Sequence, residues 1–113
     1  MAAPYIYNAT LVDRIDLTDK LAIFRVKPDD TWGKEKDGKI PDFEAGQYVS
    51  LGLNKPENAG GVIRPYSIAS PPEIKDHLEF YIRYVSNPIS GNSLTHLLWR
   101  LKPGDRLYLG RRI

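Results

Sequence analysis

Leu78-Glu79-Phe80-Tyr81-Ile82-Arg83-Tyr84-Val85 is the strongest strand signal in the chain, because aromatic and β-branched side chains recur along it. Upstream of it, Val62 to Ala69 reads as another strand, which Pro71-Pro72 forces to a stop. Before that lies the loop Asn54 to Gly61, and before the loop a strand from Gly46 to Leu53 with Val49, Leu51 and Leu53 on one side. Ala22, Phe24 and Val26 share a face by the same two-residue period, and Pro28-Asp29-Asp30 ends their strand. The first strand is expected from Tyr5 to Ile15, followed by a polar turn over Asp16 to Lys20. Downstream, Leu94, Leu97, Leu98 and Leu101 fall at i, i+3, i+4 and i+7, the apolar stripe of a helix, with Ser93 or Thr95 placed as its N-cap hydroxyl. Lys102-Pro103-Gly104-Asp105 is a turn, and Arg106 to Leu109 a last strand. Short strands separated by turn residues, with one late helix, predict an all-β sandwich or barrel of six strands.

With 113 residues the chain has room for one domain and one core. Its 42% hydrophobic and 27% charged residues are near the globular average, so it is expected to fold. A net charge of +2 is too small to point to nucleic acid or to an anionic membrane. The absence of cysteine excludes disulfides, cysteine zinc sites and iron-sulfur ligation by these residues, and no metal site is expected. Redox chemistry, if present, has to come from an organic cofactor. Met1 to Asn8 lacks the basic start and apolar stretch of a secretory signal, and no segment is long enough to span a bilayer, so a cytoplasmic location is the expectation.

The motif that carries chemistry is Arg64-Pro65-Tyr66-Ser67. On an extended strand Arg64 and Tyr66 point to the same face, presenting a guanidinium beside a phenol ring. An arginine can hold a pyrophosphate with two parallel charge-assisted bonds, and a tyrosine offers a flat face for stacking. In isolation such a tetrapeptide describes any surface arginine beside a core tyrosine; its context singles it out. It follows Phe43-Glu44-Ala45-Gly46-Gln47-Tyr48-Val49 and precedes the aromatic strand, the helix and Leu101-Lys102-Pro103-Gly104-Asp105.

That ordered set resembles the FAD-binding domain of the ferredoxin-NADP reductase family, over about Leu11 to Gly110. The resemblance implies a six-stranded antiparallel Greek-key barrel with one capping helix. It implies that Arg64 binds the FAD pyrophosphate, that Pro65 belongs to the same cofactor-binding segment, that Tyr66 lies against the isoalloxazine ring, and that Ser67 stands near N5, which makes Tyr66 and Ser67 the expected catalytic pair. Tyr81, Ile82 and Arg83 match the family's next contact strand, and Ser93, Leu94 and Thr95 match its phosphate-binding turn at the helix entry. The family usually has glycine where Asn92 stands, with Gly91 one residue earlier here, so either Ser93 or Thr95 takes the phosphate-binding place, Thr95 being preferred. The segment from Thr31 to Pro41 is longer than the family's loop, and its alternating charges read as a wet surface.

Other residues carry structural readings. His77 begins a strand and His96 lies in the first helical turn, so neither is expected in catalysis; Trp32 is read as an anchor for the charged loop and Trp99 as a cover for the barrel mouth or for an interface with a further domain.

Family members continue into a parallel α/β domain that binds NADP(H) at a Gly-rich turn. No such turn follows a strand here, so residues 1–113 are expected to be the FAD-binding half, with the C-terminal NADP-binding domain outside them. By resemblance the parent enzyme exchanges hydride with NADP(H) and passes single electrons to ferredoxin or flavodoxin, and this half alone should bind flavin without turnover. A reductase component of an oxygenase or cytochrome system is the nearest alternative. A barrel that stacks single-stranded nucleic acid on its tyrosines is the alternative from another class, and it leaves the helix-entry turn unexplained.

Overall fold

A computed structural model describes residues 5–33, 39–44, 46–54, 61–84, 94–110 and 113. Strand β1 (Ala9–Thr18) turns at Asp19 and Lys20 into β2 (Leu21–Pro28), the Lys20 N–H donating to Thr18 Oγ1 at 3.1 Å. Both ends of β1 differ from the sequence expectation. It continues through Asp16, Leu17 and Thr18, because Asp16 and Thr18 keep pairing with Ala22 and Leu21 of β2 across a register shift at Leu17, while all three residues are exposed. It starts only at Ala9: before it, Tyr5 bonds through its main chain to the Asn54 side chain, while Asn8 N–H donates to the Leu107 carbonyl, the Asn8 carbonyl accepts from Asp29 N–H, and the Asn8 side chain bonds to the backbone of Leu109.

Strands β3 (Tyr48–Asn54), β4 (Gly61–Ser67), β5 (Leu78–Arg83) and β6 (Arg106–Leu109) complete one sheet of order β4-β3-β6-β1-β2-β5, every pair antiparallel. The expected six-stranded antiparallel architecture with one helix is therefore observed. The last strand in sequence lies between β3 and β1, which brings the two halves of the chain into a single core. Between the terminal strands β4 and β5, contact runs through the residues just past β4: Ala69 N–H donates to the Glu79 carbonyl at 2.7 Å, and Glu79 N–H donates to Ser70 Oγ at 3.1 Å.

The two-residue period decides what is buried. Ala22, Phe24 and Val26 on β2, Val49, Leu51 and Leu53 on β3, Leu78, Phe80 and Ile82 on β5, and Leu107 and Leu109 on β6 all face the core. Helix α1 (Leu94–Leu98) adds Leu94, Leu97 and Leu98, and packs against β3 and β4. The helix is shorter than its leucine stripe. Arg100 and Leu101 N–H donate to carbonyls three residues back, tightening the last turn, so Leu101 reaches the core from beyond the helix. Trp32 is 1% exposed, and its indole N–H donates to the Gly110 carbonyl at 2.8 Å, anchoring the start of the charged segment to the end of β6. Residues 34–38 of that segment lie outside the described residues.

Candidate functional site

The candidate site is centred on β4, at one end of the sheet order. Its position suits its sequence, since Pro65 has no N–H to give a ladder and is tolerated on an edge strand. Pairing with β3 sets the side-chain directions: Arg64 lies opposite Leu51, Pro65 opposite Ser50, Tyr66 opposite Val49 and Ser67 opposite Tyr48. Directly paired residues share a face, so Arg64 and Tyr66 take the side on which Leu51 and Val49 are buried. Tyr66 packs half-buried against the core, whereas the Arg64 side chain is exposed, with Nη1 donating to the Ile63 carbonyl at 2.7 Å. Burial raises the Tyr66 phenol above its ordinary value, and the Arg64 charge pulls it the other way. The phenol therefore stays protonated at neutral pH.

The end of β4 is held from the β3 side. Gly46 takes φ 90°, closing a turn in which Gln47 N–H donates to the Glu44 carbonyl at 3.1 Å and Glu44 N–H donates to Gln47 Oε1 at 2.6 Å. The Gln47 carbonyl then accepts from Ile68 N–H at 2.8 Å, next to Ser67. Tyr48, 63% exposed, stands across the ladder from Ser67, and a concavity lined by Glu44, Gly46, Gln47, Tyr48 and Ile113 opens there. Tyr48 was not among the residues the sequence singled out as ligand-binding. The signal that could have found it is its place in Gly46-Gln47-Tyr48, with the pairing register that sets it beside Ser67.

On β5, Tyr81 is 60% exposed and Arg83 is exposed, while Ile82 between them faces the core. Ile82 can therefore meet a ligand through its backbone, not its side chain. Leu94 is likewise buried, and Thr95 is half-buried in the first turn of α1; Ser93 lies outside the described residues. The fold brings the three predicted segments around one strand, because α1 and β5 both approach β4. Arg64 thus offers a charged donor, and Tyr66 and Tyr81 offer ring faces, groups suited to a phosphorylated, ring-bearing ligand.

The histidines are occupied elsewhere. His77 Nδ1 lies 2.9 Å from Asp76 Oδ1, and the His96 ring stacks on Tyr84 at 4.9 Å. Among the described residues no three metal-binding side chains cluster, and no helix is long and apolar enough to cross a membrane.

Residues 8–110 match the family model for the oxidoreductase FAD-binding domain. Over 70 residues the chain is 41% identical to a ferredoxin-NADP reductase of Azotobacter vinelandii, covering 62% of this chain and 24% of that protein. Over a stretch of the same length it is 36% identical to reductase component 2 of a terephthalate 1,2-dioxygenase from Comamonas sp, covering 62% of this chain and 18% of the relative. The chain thus spans a quarter or less of these relatives. In fold it is similar to a Neisseria gonorrhoeae ferredoxin NADP+ reductase solved with FAD and NADP, at TM-score 0.70 and 21% identity over 93% of this chain and 36% of the other. It is also similar to the FAD/NAD-binding domain of a Vibrio cholerae nitric oxide dioxygenase, at TM-score 0.73 and 18% identity over 94% and 43%.

Proposed function

The chain belongs to the oxidoreductase FAD-binding domain family, and from that premise we propose that it holds FAD along β4 as the flavin half of a ferredoxin-NADP reductase. Arg64 pairs with the pyrophosphate, Tyr66 supports the isoalloxazine ring, and Ser67 stands near N5 with Tyr48 opposite it. Tyr81 and Arg83 contribute side chains from β5, and Ile82 its backbone. Leu94 and Thr95, at the start of α1, are on the phosphate side, with Thr95 preferred for the phosphate contact; Ser93, matched to the same place by sequence, lies outside the described residues. When bound, FAD supplies the ring that takes hydride and releases electrons one at a time; the protein supplies binding, orientation and electrostatics. The observation that carries this reading is the exposed Arg64 guanidinium two residues from the core-anchored Tyr66 ring, on a strand approached by both α1 and β5.

In the parent enzyme, hydride exchange with NADP(H) belongs to a second domain, and the electrons go on to ferredoxin or flavodoxin. The match to terephthalate dioxygenase reductase components over as many residues favours a second reading, in which the electrons go to an oxygenase. The nucleic-acid reading uses the same tyrosines and arginine but leaves the helix-entry turn and its spacing to the Tyr66 strand unexplained. Mixing the purified chain with FAD and recording its visible spectrum tests the proposal: a yellow protein with quenched flavin fluorescence is expected. A colourless protein that leaves the fluorescence unquenched overturns it.

A further inference from the structure

Arg14 lies on β1 opposite Phe24 of β2, and its side chain is only 14% exposed. The guanidinium carbon sits 5.2 Å from the Phe24 ring centroid and 4.9 Å from that of Trp99. Nη1 donates to the carbonyls of Trp99 at 2.9 Å and Leu101 at 2.8 Å, and Nε donates to Asp16 Oδ1 at 2.8 Å. These two carbonyls belong to the turn that ends α1, where carbonyls lack partners within the helix and a cation is favoured.

The same segment is braced on its other contacts. Trp99 rests against Phe24 at 5.8 Å and Tyr84 at 5.5 Å, and Tyr84 stacks on His96 of α1. Beyond the helix, Gly104 N–H donates to the Leu11 carbonyl at 2.8 Å and Leu11 N–H donates to the Asp105 carbonyl at 2.9 Å. Strand β1 therefore moors the chain from the end of α1 to the start of β6, and Arg14 is the charged tie in that mooring.

We infer that Arg14 is a positioning residue for the cofactor: it ties the turn that follows α1 to β1 and so holds α1, which packs on β3 and β4, in place on the phosphate side of the FAD site. Arg14 touches no cofactor itself, and the inference rests on the flavin reading above. Its consequence is local. Loss of Arg14 should loosen the half of FAD next to α1 and leave the half next to Tyr66 and Ser67 undisturbed.

Two variants of the 113-residue chain test this. Arg14→Met keeps a long stem against Phe24 and Trp99 but removes every donor; Arg14→Lys keeps the charge and part of the hydrogen bonding. Affinities for FAD and for riboflavin, which lacks the phosphates and adenosine, are read by fluorescence, together with the visible spectrum of FAD at saturation and a melting curve. Arg14→Met is expected to weaken FAD about tenfold and riboflavin by less than about twofold, with an unchanged spectrum. Arg14→Lys is expected to recover part of the loss, and it carries the test if Arg14→Met does not fold. Unchanged FAD affinity, equal losses for both ligands, or a lysine variant no better than methionine would each overturn the inference. A parent chain that takes up no FAD overturns the flavin reading and this inference with it, whereas a parent that binds FAD no better than Arg14→Met overturns this inference alone.

Discussion

Asn8 exchanges two hydrogen bonds with the backbone of Leu109: its Nδ2 donates to the carbonyl at 2.9 Å, and its Oδ1 accepts from the amide at 2.7 Å. Asn8 is buried and sits where β1 has not yet begun, so its side-chain amide takes the place of a ladder residue for the last position of β6. Replacing it with alanine leaves a buried donor and a buried acceptor without partners, at about 1–3 kcal/mol for each. Asn8→Ala should lower the urea midpoint with an unchanged slope. A loss under about 0.5 kcal/mol, the range of ordinary surface substitutions, would contradict this account.

Arg64 and Tyr66 separate binding from stability. The Arg64 side chain is exposed and bonds only to its neighbour's carbonyl among the contacts described, so Arg64→Ala should change stability by no more than about 0.5 kcal/mol. Charge-assisted bonds to a phosphate contribute about 1.5–3 kcal/mol, so FAD affinity should fall by roughly tenfold or more. Tyr66→Leu retains an apolar contact with the core but removes the flat ring, and should cost about 0.5–1.5 kcal/mol of binding. Titration of both variants with FAD, beside their melting curves, checks the separation.

The strands were legible in the sequence because their core faces follow the two-residue period without interruption: Ala22-Phe24-Val26, Val49-Leu51-Leu53 and Leu107-Leu109 are buried as read. What periodicity could not supply was where β1 begins and ends. Those limits depend on how the chain meets itself: Asn8 meets Leu109, some hundred residues away, and the exposed Asp16 and Thr18 pair with Ala22 and Leu21 across a register shift. The geometry of the candidate site was legible in the same uneven way. The face shared by Arg64 and Tyr66 follows from local geometry, whereas Tyr48 beside Ser67, and Arg14 bonded to the turn after α1, depend on which segments become neighbours.

Asp29 and Arg106 give a pH dependence with a definite sign. Asp29 accepts both Arg106 terminal nitrogens, one at 2.7 Å and the other at 2.5 Å, and the bond to Arg106 holds the carboxyl below its ordinary 3.8. A folded-state value below the unfolded one means that the native carboxylate is favoured. Its contribution is fully present above the unfolded value and disappears as pH falls through the folded one. The stability difference between the parent chain and Asp29→Asn should therefore be constant above about pH 5 and shrink steadily as the pH is lowered below 3.8. Denaturant curves at stepped pH check it; a difference that grows toward acid would reverse the assignment.

Gly46 connects backbone strain with the cofactor site. Its φ of 90° lies in the left-handed region, yet a Cβ placed there meets nothing within 4 Å, so substitution tests conformation without crowding. Gly46→Ala should cost about 1–2 kcal/mol, and Gly46→Asn less, because asparagine visits that region more readily. The turn that Gly46 closes also orients the Gln47 carbonyl, which holds Ile68 N–H beside Ser67. The alanine variant should therefore weaken FAD as well as the fold, with the asparagine variant intermediate in both measurements. Loss of stability with full FAD affinity would separate the turn from the site, and would mean that β4 keeps its place without it.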